Sequence, residues 1–183
     1  MNMIISAVSQ GLLWSILALG LFVSFRILDL ADMTTEGAFP LGAAVAVQAI
    51  TLGANPYIAI IFAIIAGSSA GLITGFLITK LQIPSLLAGI LTMTGLYSIN
   101  LRVMGRANIS LLGKNTIFTV FENMNLPRHF DTITLGLLVV VMIIGLYVIF
   151  FKTEFGQAVI ATGDNEAMAR SLGISTNTMK IVG

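Results

Sequence analysis

Four long runs without a charged residue constrain this chain more than any other feature. They are Met1–Phe25, Gly37–Thr79, Leu81–Leu101 and Thr132–Phe151. A helix needs roughly 20 apolar residues to cross the hydrocarbon core of a bilayer, so each run is long enough for at least one crossing. The composition agrees, because only 9% of the residues are charged, against about a quarter in a soluble domain. The sequence therefore predicts an all-α, polytopic transmembrane helix bundle.

The second run is about twice as long as one crossing requires. It contains Gly53-Ala54-Asn55-Pro56, a composition typical of a turn. We therefore divide it and expect about five membrane segments, at 3–25, 38–52, 57–79, 84–101 and 133–151. The segment 38–52 is short and carries Pro40 near its start, which predicts a broken, re-entrant or short second helix. The first run has no basic residues before it, which favours a retained helix over a cleaved signal peptide.

The distribution of Lys and Arg indicates the orientation in the membrane. With the N-terminus outside, the basic residues on the cytoplasmic side are Arg26, Lys80, Lys152, Arg170 and Lys180. The remaining ones, Arg102, Arg106, Lys114 and Arg128, then fall in an outer loop of roughly 30 residues. Arg26, Lys80 and Lys152 lie at segment ends, as the positive-inside rule expects.

Two features of the apolar region predict contacts. Gly67, Gly71 and Gly75 recur every four residues and form a smooth helix face for close helix packing. Asp29, Asp32 and Glu36 would lie on one face if the segment were helical. Three carboxylates cannot face lipid without a large cost. They belong either to a solvated connection between the first two segments or to a water-lined cavity between discontinuous helices.

The sequence offers little for soluble chemistry. It has no cysteine and one histidine, His129, in the outer loop, so we expect neither a metal site nor a catalytic residue. The segment Asn108–Asn115 lacks the first Gly and the final Ser or Thr of a P-loop. Any ATP must therefore be bound by another polypeptide. The net charge of +1 argues against nucleic acid as a partner.

A polar stretch after the last segment, ATGDNEAMARSLGIS at 161–175, predicts a short helix at the membrane surface. Asp164 is a candidate N-cap, and Glu166 and Arg170 suit the first and last turns. Gly173 fits the position just past the C-terminus. A helix of about eight residues is marginal in water without a partner, so we expect another protein to dock on it.

The same stretch resembles a known family. Thr153-Glu-Phe-Gly156, Ala161-Thr-Gly-Asp-Asn-Glu166 and Ala169-Arg-Ser-Leu-Gly-Ile174 are similar to the cytoplasmic coupling loop of ABC importer permeases in the bacterial branched-chain amino acid and ribose group. The segments 29–43 and 87–101 resemble a narrower set, the uncharacterised or tryptophan/tyrosine-type permeases.

The resemblance implies one transmembrane permease domain over 1–183, with a cytoplasmic coupling loop at 152–183. It implies a non-enzymatic, cofactor-free subunit that moves a small organic solute, an amino acid, across the bacterial cytoplasmic membrane. The implied partners are a cytoplasmic ABC ATPase, an extracytoplasmic solute-binding protein and a second permease copy, a homodimer being expected. The residues assigned to the ATPase contact are Gly163, Asp164, Glu166, Ala169, Arg170 and Gly173. Glu36, Pro40 and Gly42 are assigned to the substrate pathway.

Two other interpretations and one departure from the family stay open at this point. An ion-coupled secondary transporter or channel could use Asp29, Asp32 and Glu36 without an ATPase. A membrane enzyme would need convergent His, Asp, Ser or Lys at one depth, and no such set stands out. Members of the family normally continue through about three more spans after the coupling loop. We therefore expect the domain to be partial.

Overall fold

The computed structural model describes residues 2–106, 108–111 and 130–182, and every regular element in these ranges is a helix. The chain divides into two compact units, one formed by residues 1–29 and 118–176 and the other by residues 30–117 and 177–183. Lys114, Arg128 and His129, which the sequence assigns to the outer loop, lie outside the described residues.

In its described residues, the first unit contains two long apolar helices. Helix α1 (Asn2–Phe22) continues into a π-helical turn, Val23–Ile27, which is closed by the Leu28 N–H bonded to the Val23 carbonyl at 3.0 Å. Helix α5 (Phe130–Lys152) packs against α1. Gly136 makes this approach possible, because a Cβ there would lie 3.2 Å from the Cβ of Leu12. Two shorter helices follow, α6 (Glu154–Asp164) and α7 (Glu166–Ser171).

A tight turn joins α5 to α6. The Thr153 hydroxyl caps α6 by accepting the Gly156 N–H at 3.1 Å, and it donates to the Phe150 carbonyl at 2.6 Å. Gly156 lies so close to Phe150 that a Cβ would collide with its carbonyl oxygen. The turn therefore needs glycine at 156 and fixes the direction in which α6 leaves the last long helix.

The part of the second unit that the structure describes contains three long helices. They are α2 (Thr34–Thr51), α3 (Pro56–Thr79) and α4 (Ser85–Met104). The short helix α8 (Thr176–Val182) belongs to this unit from residue 177 onward. Its Ile181 packs on α3 at Gly75. The turn predicted at 53–56 is confirmed: Gly53 has φ +90°, and the Asn55 side chain caps α3 by accepting the Tyr57 N–H.

The core of the second unit consists of small and branched apolar side chains. Leu41, Ala70 and Leu96 come from α2, α3 and α4 and form a buried cluster. Gly37 allows α2 to approach α4, because a Cβ at 37 would lie 3.0 Å from the Met93 Cα. Gly42 allows α2 to approach α3, because a Cβ at 42 would lie 3.4 Å from the Ala63 carbonyl oxygen. The three helices therefore pack almost backbone to backbone.

The glycine face on α3 is only partly used within the chain. A Cβ at Gly75 would lie 3.1 Å from the Ile181 Cα, whereas Gly67 and Gly71 have no described neighbour within 4 Å of such a Cβ. The expected packing along all three glycines is therefore seen at one of them. Most of α3 is exposed, as are the large apolar side chains of the other long helices.

Four of the five predicted membrane segments are confirmed. Among the described residues the helices long and apolar enough to span a bilayer are Met3–Ile27, Pro56–Thr79, Ser85–Met104 and Ile133–Lys152. Helix α2 does not reach the same apolarity, because its 18 residues include Glu36 and Gln48. At 1.5 Å per residue it is about 27 Å long. The predicted second helix is thus short, and the expectation that it is broken is wrong, because Pro40 lies inside one continuous helix.

Candidate functional site

Helix α6 is fixed to the end of the first long helix by a glycine. Gly163, in its last turn, lies against the π-helical turn, and a Cβ at 163 would collide with the Ile27 carbonyl oxygen. Gly156, Val159 and Thr162 are buried at intervals of three along the same helix. The sequence interpretation missed α6 altogether. The i, i+3 recurrence of these small or branched residues was the available signal.

Helix α7 begins one residue later than the sequence suggests. The predicted N-cap, Asp164, is wrong, because Asp164 is the last residue of α6 and is still helical. Asn165 is extended at φ −155° and ψ 99°, and its Oδ1 accepts the Met168 N–H at 2.9 Å. One asparagine therefore ends α6 and caps α7, so the predicted short helix is α7, and a sharp break separates it from α6.

The C-terminus of α7 agrees with the sequence. Gly173 has φ +84°, which glycine adopts without steric cost. The Gly173 N–H bonds to the Arg170 carbonyl and the Ile174 N–H to the Ala169 carbonyl, both at 3.1 Å. These two bonds form a Schellman motif. The prediction that Gly173 sits just past the helix end is confirmed.

A polar triad braces α7 from the side. Arg170 Nη2 lies 3.0 Å from Glu166 Oε1 and donates to the Thr176 hydroxyl at 3.1 Å. The Thr176 hydroxyl in turn lies 3.2 Å from Glu166 Oε1. Thr176 is buried, whereas the Arg170 side chain is 64% exposed. The exposed charges of α7 are therefore held in one arrangement by a buried anchor.

The outer surface of α7 combines charge with apolar side chains. Met168 and Leu172 are 60% and 68% exposed, and a shallow hollow of about 640 Å³ is lined by Glu166, Ala167, Arg170 and Ser171. Two residues assigned to the ATPase contact lie elsewhere: Ala169 is buried beneath the helix, and Gly163 faces Ile27. Asp164, at the end of α6, and Gly173, just past the end of α7, are both exposed.

The three carboxylates near the start of α2 do not form a cluster on one helix. Residues 28–33 are not helical, and Asp29 is exposed with φ +52°. The expectation that the three carboxylates share one helix face is therefore wrong. Asp32 instead folds onto α2, where its carboxylate accepts both the backbone N–H (2.8 Å) and the hydroxyl of Thr34. Gly89 on α4 makes room for this cap, since a Cβ there would lie 2.6 Å from the Met33 nitrogen.

Buried hydroxyl groups extend this cap across the second unit. The Thr34 hydroxyl lies 2.7 Å from that of Thr74 on α3, which lies 2.9 Å from that of Thr92 on α4. All three threonines are buried. A buried polar group without a hydrogen bond costs about 1–3 kcal/mol, so the chain of hydroxyls favours one relative register of the three helices. The sequence interpretation did not identify it, because its members are far apart in the chain.

A cleft opens between the first turns of α2 and the C-terminal half of α4. Its volume is about 410 Å³. The lining residues are Glu36, Gly37 and Pro40 of α2, and Met93, Thr94, Tyr97, Asn100, Leu101 and Met104 of α4. The wall is mostly apolar, and Glu36 is its charged residue. The cleft therefore offers an apolar space with a carboxylate at one side.

Asn100 is the most unusual polar group of the cleft. Its side chain is buried, its Nδ2 lies a long 3.5 Å from the Gly37 carbonyl, and its Oδ1 has no partner among the described residues. Two of the three predicted pathway residues, Glu36 and Pro40, line the cleft, while Gly42 faces α3 instead. Tyr97 and Asn100 were not among the predicted site residues, although both are polar residues in a helix that consists mostly of apolar ones.

Across residues 2–106, 108–111 and 130–182, the structure shows no group of three or more His, Asp or Glu placed to hold a metal ion. The α7 surface belongs to the first unit and the α2–α4 cleft to the second.

Comparisons with known proteins identify the family of this chain. Residues 3–183 match the family described as the branched-chain amino acid transport system/permease component. The chain is 40% identical over its whole length to a tyrosine transport system permease protein of Clostridioides difficile, covering 59% of that protein. It is 36% identical, again over its whole length, to an uncharacterised protein of Rickettsia prowazekii, covering 62% of it.

A more distant relative is the autoinducer 2 import system permease protein of Yersinia enterocolitica. The identity there is 32% over 135 residues, which are 73% of this chain and 36% of that protein. No solved structure matches the chain significantly. With its span-length helices, the chain is a multi-pass protein of the cytoplasmic membrane, and it belongs to the permease family of the branched-chain amino acid transport systems.

Proposed function

We propose that this chain is the membrane-spanning part of an ABC importer permease that carries a small organic solute, an amino acid, into the cell. A separate ATPase subunit hydrolyses the ATP and docks on α7. The observation that carries the proposal is the exposed surface of α7. This surface combines the charged Glu166 and Arg170 with the apolar Met168 and Leu172, and the buried Thr176 holds the two charged side chains in place.

The construction of α7 suits a mechanical contact. A helix of six residues is marginal on its own, but this one has an Asn165 cap, a Schellman motif, a buried Ala169 and an anchoring Thr176. Met168 and Leu172 expose apolar surface that a partner could cover. Movement of a docked ATPase would pass through α7 to α6, which is wedged against Ile27 by Gly163. Gly163 and Ala169 thus support the contact from behind, and Glu166 and Arg170 form it.

The remaining partners are proposed from what the family implies. An extracytoplasmic binding protein would deliver the solute, and a second permease copy would complete the path. Alternation of access would come from rigid-body movement driven by ATP. An amino acid is the favoured solute, because a relative is named as a tyrosine permease and because the α2–α4 cleft combines a carboxylate with apolar walls. The ion-coupled alternative is not favoured, since residues 28–33 are not helical and Asp29, Asp32 and Glu36 do not share one helix face.

Charge exchange on α7 tests the docking. The protein is purified from membranes with its candidate ATPase, and wild type is compared with Glu166→Lys, Arg170→Glu and the double variant. The double variant keeps opposite charges at 166 and 170 and therefore preserves an i, i+4 pair. We expect all three to lose the ATPase. Glu154→Lys, a charge reversal at another exposed position of the loop, serves as the control and should retain it.

Retention of the ATPase by all three α7 variants would contradict the docking role. If only the single variants lost it, the ion pair would matter for helix stability and not for the contact.

A further inference from the structure

Among the described residues, the charge at the α2–α4 cleft is negative. Glu36 is exposed on the first turn of α2, and none of the described residues that line the cleft is Lys or Arg. Within the part of the chain that the structure describes, Glu36 forms no ion pair. A carboxylate beside an apolar surface gains from a cation close to it more than it would in open water, because the local dielectric constant is lower.

A second acceptor lies on the other wall. Asn100 is 8% exposed, and its Oδ1 has no hydrogen-bond partner among the described residues. The amide orientation is set by Nδ2, which faces the Gly37 carbonyl, so Oδ1 is left as the unsatisfied atom. Glu36 and Asn100 both line the cleft, and Asn100 Nδ2 faces the carbonyl of Gly37, the residue that follows Glu36. A group with several donors could satisfy both.

The remaining lining residues of the cleft favour a ligand with an apolar part. Pro40, Leu101, Met93 and Met104 supply aliphatic and thioether surface, and Tyr97 supplies a ring. Methionine adapts to irregular shapes and makes favourable contacts with aromatic rings. A volume of about 410 Å³ falls within the range of small-molecule sites. The lining therefore matches a compact ligand with one ring or branched chain and one cationic end.

We propose that this cleft is a binding site for a primary ammonium group attached to an apolar or aromatic body. Glu36 supplies the counter-charge and Asn100 Oδ1 the second acceptor. A protonated primary amine has three donors and no acceptor, which complements two acceptors. The proposal deepens the proposed function and rests on it, since the amine would be that of the transported solute. A carboxylate on the same ligand must point away from Glu36.

Two probes with the same ring and opposite charge test the site. The intact protein is reconstituted in lipid nanodiscs without nucleotide, and equilibrium binding of radiolabelled phenethylamine is compared with that of 3-phenylpropionate, each corrected with empty nanodiscs. We expect saturable binding of phenethylamine only. Glu36→Gln keeps the size of the side chain and removes its charge, and should weaken phenethylamine binding about 10- to 100-fold, as expected for loss of a charge-assisted hydrogen bond.

Two further variants make the result specific. Asp29→Asn removes an exposed carboxylate outside the cleft at a position where asparagine tolerates the left-handed backbone, and it should bind phenethylamine as wild type does. Asn100→Leu removes the second acceptor and should weaken binding. Because this variant could misfold, its elution in size-exclusion chromatography is checked, and Glu36→Gln remains the deciding comparison.

The proposal is overturned if phenethylamine fails to bind wild type, if Glu36→Gln binds it equally well, or if 3-phenylpropionate binds as tightly. Co-purification of the ATPase with the same preparations separates this outcome from failure of the proposed function. A protein that holds its ATPase but not the amine is a permease without this site.

Discussion

Gly163 lies directly against the carbonyl oxygen of Ile27, at a separation that leaves no room for a side chain. This contact joins the helix that precedes α7 to the π-helical end of the first membrane helix. We expect Gly163→Ala to force the two backbones apart and to cost about 1–3 kcal/mol, as overpacking does. Thermal unfolding in detergent measures the loss.

Gly145→Ala is the matched control for this substitution. Gly145 lies in α5 and has no described neighbour within 4 Å of an added Cβ, so alanine should leave stability unchanged or raise it by about 0.5–1 kcal/mol. Equal melting temperatures for the two variants would show that the contact with Ile27 is not a constraint in the membrane protein.

Gly89→Ala should displace the start of α2. The added Cβ would lie 2.6 Å from the Met33 nitrogen and 2.9 Å from Asp32 Oδ1, so the cap on Thr34 has to move. We expect faster hydrogen exchange in residues 32–36. Gly95→Ala, on the same helix with open space around it, should leave that exchange unchanged, and the same pattern in both variants would refute the explanation.

The buried hydroxyl chain predicts a difference between two threonines of similar sequence context. Thr74→Val removes the hydrogen bonds that link it to Thr34 and Thr92, whereas Thr34 keeps its bond to Asp32 and Thr92 its bond to the Ala88 carbonyl. The two lost hydrogen bonds together should cost about 1–3 kcal/mol. Thr94→Val alters an exposed hydroxyl that, among the described residues, bonds only to its own helix, and should change stability by less than about 0.5 kcal/mol. Chemical unfolding in mixed micelles compares them, and a smaller effect at Thr74 would contradict the network.

The break between α6 and α7 depends on one side chain. Asn165→Ala removes the acceptor of the Met168 N–H and should destabilise α7 by about 1 kcal/mol, whereas Asn165→Asp keeps an acceptor and should have little effect. Limited proteolysis at Arg170 reports the difference. Similar cleavage rates for the two variants would mean that the cap does not hold the helix.

Much of the fold follows from local sequence. Uncharged runs set the long helices, because the cost of a charge in lipid is a property of each residue. The turn at Gly53 and the helix end at Gly173 could be predicted for a similar reason: both residues adopt positive φ, which glycine permits.

What could not be predicted depends on contacts distant in the chain. Asp32 looked like one of three equivalent carboxylates, and only the positions of Thr74 and Thr92 show that it ends a buried polar chain. Asp164 and Asn165 are equally good caps by composition, and the chosen residue depends on where α6 stops. Asn100 is an ordinary polar residue in the sequence, and its unsatisfied oxygen becomes visible only against Gly37.

The absence of cysteine from the sequence makes it possible to test by crosslinking whether α7 receives the ATPase. Single cysteines are introduced by Met168→Cys and Leu172→Cys. Met3→Cys, near the N-terminus of α1, serves as the control. Membranes containing the ATPase are treated with a short thiol-to-amine crosslinker. We expect a crosslinked permease–ATPase product from positions 168 and 172 and none from position 3. Absence of the product at both α7 positions, in membranes where the ATPase co-purifies with the permease, would contradict the account.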